Sequence, residues 1–189
     1  MEQHVLGERK KALEQEFFRR RDAALLEQRR VEAARQQARA ALAAASRITD
    51  EDLLDQLVAM GIDADTLVAL SLIPLAEVAW ADGWVDAAEK RAVLAAARAT
   101  GLAPKRAGYR LIESCLTTRP PAALRGLWRR YIQSVCATLP ADGRDSLRRE
   151  LSRKGYAVAE AAGGFKGLFS RVSAQEEALL EEIAAAFER

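Results

Sequence analysis

From residue 8 to residue 47 the chain runs without a single glycine or proline, and it is built chiefly from Ala, Glu, Gln and Arg. These are strong helix formers with no breaker among them, so the segment is predicted to form one unbroken helix about 60 Å long. A helix of that length is wider than a small domain. It therefore divides the molecule into an N-terminal helix, residues 1–47, and a domain over residues 48–189. Leu6, Leu13, Phe17, Ala24, Val31, Ala38, Leu42 and Ala45 fall at spacings of 7, 4, 7, 7, 7, 4 and 3, close to a heptad seam weakened by alanines. Two readings stand open. The helix is a coiled-coil arm that docks a protein partner or a second copy through Leu13, Phe17, Val31 and Leu42, or it is a solvated helix folded back on its own domain.

The rest of the chain reads as helices separated by breakers. Thr49 with Asp52 resembles a capping box and opens a helix that Gly61 ends. A second helix is expected from about Asp65 to Ala81, bent near Pro74, with Asp82-Gly83 as its terminal turn. Asp86 caps the next helix with Glu89 as box partner, and Gly101 stops it. Further helices are expected at about 104–118, 121–139 and 143–162, parted by Pro120-Pro121 and by Pro140 to Gly143. A glycine-rich loop, Gly163 to Arg171, follows, its Phe165, Leu168 and Phe169 expected to tuck into the domain. Ser173 and Glu176 then form another capping box before the last helix. No run alternates with the period of two that strands need, so the fold class is all-α.

Function classes narrow quickly. The single histidine, His4, sits near the start, which leaves Ser-His and Cys-His catalysis and His-ligated metals almost nothing to use. No carboxylate pair stands isolated enough for acid and base roles, so an enzyme is not expected. Cys115 and Cys136 lack CxxC spacing and fall on apolar helical faces, the pattern of buried thiols in a reducing, cytoplasmic compartment. No apolar leader opens the chain, and the longest apolar run, Leu67 to Ala81, is interrupted by Ser71, Pro74 and Glu77, so no membrane span is expected.

The formal charge of +2 hides a segregated pattern: residues 48–100 carry net −7 and residues 101–171 net +9. The basic block, with Arg125, Arg129, Arg130, Arg144, Arg148, Arg149, Arg153 and Lys154, suits an anionic partner or neutralisation of the acidic block inside the fold; nucleic acid is the less favoured of these. Among the aromatics, Trp80 and Trp128 sit at apolar helical positions and belong in the core. Trp84, in the loop after Gly83, is expected at the surface and is a further candidate for partner contact.

The stretch Pro74 to Leu102, PLAEVAWADGWVDAAEKRAVLAAARATGL, joins a helix ending in Ala-Asp-Gly to an acidic cap and a Glu that opens the next helix. In this it resembles the signature of the TerB-like, tellurite-resistance-associated superfamily. A weaker echo follows: Val158 to Gly163 aligns with Val78 to Gly83, and Val172, Ser173 and Glu176 align with Val85, Asp86 and Glu89. The resemblance, with this echo, implies an internally duplicated helical domain whose halves are about residues 50–101 and 121–189 and whose two corners meet. It also implies a bacterial stress-response protein within a larger assembly, and divalent-cation binding by corner acids. On that expectation Asp82, Asp86 and Glu89 would hold a hard cation such as Ca²⁺ or Mg²⁺ through carboxylate oxygens, with Glu77 a weaker candidate. The same residues are also explained as helix caps and a turn, and Ala162 stands where Asp82 has its counterpart, which leaves a two-corner cation site short of ligands.

Overall fold

The computed structural model describes residues 2–162 and 172–188, and the side chains of residues 15–161 and 172–188. Among these residues the chain is all helical: α1 (Glu2–Ser46), α2 (Glu51–Ala59), α3 (Leu67–Leu70), α4 (Ile73–Ala79), α5 (Ala87–Ala99), α6 (Ala107–Thr117), α7 (Ala122–Thr138), α8 (Ala141–Ala162) and α9 (Ala174–Ala185). The chain divides into two compact units, Met1–Ala40 and Ala41–Arg189.

The first unit is the helix α1 as far as Ala40. Its described side chains make local ion pairs one turn apart, Glu16 with Arg19 and Arg20 and, more loosely, Glu27 with Arg30 at 3.9 Å. Phe17, Phe18, Leu25, Leu26 and Val31 are all exposed along it.

The second unit takes in the last turns of α1, and there the expected boundary moves. Leu42, expected as an apolar anchor of the arm, is 0 % exposed and belongs to the core of this unit with Ile48, Leu53 and Leu57. The reason is local. Arg47 turns out of the helix at φ 59°, the Ser46 hydroxyl donates to Leu42 O at 2.7 Å and accepts from Ile48 N at 3.1 Å, and the chain goes on into α2. Asp50, one residue later than the expected Thr49, caps α2 by accepting from Leu53 N at 3.0 Å.

α4 is the pillar of the unit. All seven of its residues are buried, and it packs against α5, α6, α7, α8 and α9. A helix apolar on every side, as Ile-Pro-Leu-Ala-Glu-Val-Ala nearly is, has no face to offer water and goes to the centre. The helix expected from Asp65 to Ala81 is broken rather than bent: α3 ends at Leu70, and Pro74 takes a first-turn position in α4, where its missing N–H costs nothing. Gly143, expected before its helix, lies within the first turn of α8. Gly61, Gly83 and Gly101 end their helices at φ of 74°, 97° and 88°, as the sequence pattern expects. At Gly155 α9 comes so close to α8 that an added Cβ would lie 2.5 Å from Leu180 Cδ2, which explains a glycine in mid-helix. The loop that holds Phe165, Leu168 and Phe169 lies outside the described residues.

Trp128 is fully buried, as expected, and Trp80 is half-buried with its indole N–H donating to Cys115 O at 2.8 Å. The lone acid of the apolar run, Glu77, is buried on α4. It accepts from Arg125 Nε of α7 at 2.8 Å, and Arg125 in turn lies 3.6 Å from Glu182 of α9, which also bonds Arg129. Arg130 spans Asp50 at 2.8 Å and Asp52 at 3.0 Å. Five of the basic residues thus face carboxylates of their own chain, since Arg148 approaches Asp145 and Glu188 and Lys154 pairs with Glu150.

Candidate functional site

The corner between α4 and α5 is built by hydrogen bonds of its own side chains. Asp86 sits in extended geometry at φ −81°, ψ 171°, and its carboxylate accepts from Ala88 N at 2.7 Å and Glu89 N at 2.8 Å; Glu89 reaches back to accept from Asp86 N at 2.8 Å. This is a closed capping box. Asp82 accepts from Trp84 N at 3.3 Å and from the Trp84 indole N–H. Trp84 lies at the surface as expected, 67 % exposed, with its ring tethered by Asp82.

A capping box also opens α9. Ser173 caps α9 at φ −75°, ψ 160°, its hydroxyl accepts from Glu176 N at 3.2 Å, and Glu176 accepts from Ser173 N at 2.6 Å. Both box glutamates are buried, Glu89 at 3 % exposure and Glu176 at 7 %; burial pushes the Glu89 carboxyl up to about 7, and the charges of Asp86, Asp82 and Glu176 add to the rise. Val78 and Ala79 of α4 and Val158 and Ala159 of α8, aligned in the sequence echo, are all buried.

These contacts bear on a cation. The carboxylates of Asp82, Asp86 and Glu89 each spend oxygen lone pairs on N–H donors within three residues, so their orientation is set by the turn and not by a common centre. Among the described residues no group of three or more His, Cys, Asp or Glu side chains is placed to hold a metal ion. Asp82, Asp86 and Glu89 thus do not converge on a common point where the resemblance implies a hard cation. Glu77 is committed to Arg125.

A cavity of about 350 Å³ lies where Cys136, Arg144, Asp145, Arg148, Phe187 and Glu188 meet. Burial raises the Cys136 thiol, outweighing Arg144, and burial with the Glu77 charge raises Cys115 to about 11. Both shifts run opposite to that of an activated thiolate nucleophile.

On α1, Phe17 is 62 % and Val31 59 % exposed, the state an unpartnered seam requires, whereas Leu42 is spent on the core and the Leu13 side chain lies outside the described residues. Phe18, Leu25 and Leu26 are exposed hydrophobics that the heptad pattern left out. Their signal was present in the sequence, because Phe18 and Leu25 stand one residue beyond Phe17 and Ala24 and double the width of the stripe. The two phenyl rings meet edge to face with centroids 5.8 Å apart.

No described helix is long and apolar enough to cross a membrane. No protein-family model, curated protein or solved structure matches the chain.

Proposed function

We propose that this chain is a non-enzymatic protein-interaction module: a helical domain of TerB-like, internally duplicated plan whose N-terminal helix docks another polypeptide, as an oligomer or within a larger assembly of the stress-associated kind. The observation that carries it is the cluster of five large exposed hydrophobics, Phe17, Phe18, Leu25, Leu26 and Val31, within about four turns of one helix. Scattered exposed apolar residues need no explanation, but five large ones gathered this closely on one otherwise polar helix suit an interaction surface. Support for the duplicated plan comes from the two capping boxes, each with its glutamate buried, and from the matched buried pairs on α4 and α8. Two free, buried cysteines fit a reducing, cytoplasmic setting.

The test is the double change F17D/V31D in the full chain. It is expected to abolish assembly in size-exclusion chromatography with light scattering, whether the partner is the chain itself or a protein that co-purifies with it. The melting of the domain should stay within about 1 °C of wild type, because both positions are exposed. Assembly that survives both aspartates overturns the reading.

A further inference from the structure

We propose that the occupant of the α1 stripe is a second copy of this chain, paired antiparallel. This rests on the docking reading above and names its partner. Phe17, Ala24 and Val31 recur every seven residues and form one row of the stripe, while Arg21, Gln28 and Arg35, four residues after each, form the alternate row between them. A pair of helices that shares such a stripe interleaves the two rows across a common seam, flanked on one side by Phe18 and Leu25 and on the other by Arg20 and Glu27. All of Phe17, Phe18, Arg20, Arg21, Ala24, Leu25, Glu27 and Gln28 are exposed on the single chain.

Orientation follows from charge. In a parallel pair each seam residue meets its own counterpart, so Arg21 faces Arg21, and on the flank Glu27 meets Glu32 of the second copy. These are like charges at close range. In an antiparallel pair the two rows face each other. With the twofold axis between residues 22 and 23, Arg21 lies over Ala24 of the second copy and Gln28 over its Phe17. Long polar side chains there cover apolar surface with their stems and send their heads to water. One flank then brings Phe18 against Leu25 of the second copy, twice by symmetry. The other brings Arg20 against Glu27 of the second copy, also twice, which turns the repulsive flank into opposite-charge pairs.

Sedimentation equilibrium of the full-length wild type, R20E, E27R and R20E/E27R tests this, with helicity followed by circular dichroism. Wild type is expected to dimerise, each single reversal to weaken the dimer about tenfold by placing two like-charge pairs on the flank, and the double reversal to recover most of the loss. A wild type that stays monomeric to about 100 μM overturns self-pairing; the docking reading then stands or falls separately on whether F17D/V31D releases a different protein. A dimer that E27R tightens and R20E leaves unchanged is the parallel one and overturns the proposal. A dimer indifferent to F17D/V31D overturns both the pairing and the docking reading.

Discussion

Glu89 is an acid that the fold holds uncomfortably. It is nearly sealed from water and faces Asp82, Asp86 and Glu176, and its carboxyl is pushed up from 4.5 to about 7. The folded protein therefore holds this proton more tightly than the unfolded chain does. The stability it contributes is complete below pH 4.5 and is lost as the pH rises through 7. Glu89→Gln keeps the bond from Asp86 N, because an amide oxygen also accepts, and removes the charge. The variant should match wild type at pH 4.5 and exceed it at pH 8 by on the order of 2 kcal/mol, read from urea unfolding at the two values. If the difference between variant and wild type does not change with pH, Glu89 titrates normally. The box itself was legible, since Asp86 and Glu89 at three residues' spacing announce a cap. The burial was not, because α5 is covered by α6 and α8, which follow it in the chain, as well as by α4. Glu77 shows the same division: a lone acid in an apolar run signals a buried charge in need of a partner, but nothing local identifies Arg125 on α7 as that partner.

Helix ends are legible at Gly61, Gly83 and Gly101 and at the Asp86–Glu89 and Ser173–Glu176 boxes, and poorly legible where a position is decided by packing. α3 and α4 look like one helix because no breaker stands between Leu70 and Ile73. The turn there lets α4 enter the centre on its own axis. α1 was misdivided for a related reason. A heptad pattern treats Leu42 and Phe17 as equal anchors, yet the turn at Ser46 and Arg47 hands Leu42 to the core and leaves Phe17 exposed. Alanine substitution separates the two roles. Leu42→Ala should cost the domain about 3 kcal/mol in tryptophan-monitored unfolding, the usual loss for a buried leucine. Phe17→Ala should leave that transition within about 0.5 kcal/mol of wild type. Equal effects would mean that the stripe is part of the domain's own core.

Part of the charge segregation of the sequence is resolved inside the molecule: arginines of α7 meet acids that lie 48 to 80 residues earlier, and 53 residues later on α9. No window of sequence displays pairings that distant, which is why the sequence favours internal neutralisation without excluding an anionic partner. The acidic corner follows the same logic, with its carboxylates satisfied by neighbouring N–H groups. Saturating Ca²⁺ or Mg²⁺ in place of EDTA should therefore shift the melting temperature of wild type and of Asp82→Ala by less than about 1 °C, whereas a ligand at a hundred times its dissociation constant would add about 2.7 kcal/mol. A shift in wild type alone would reinstate the cation site. The contact between α4 and α6 has a practical side. Cys115 lies sealed there, its thiol raised to about 11 and its carbonyl held by Trp80. An alkylating reagent reaches it only when those helices part, so its labelling rate is a built-in clock for the opening of the domain.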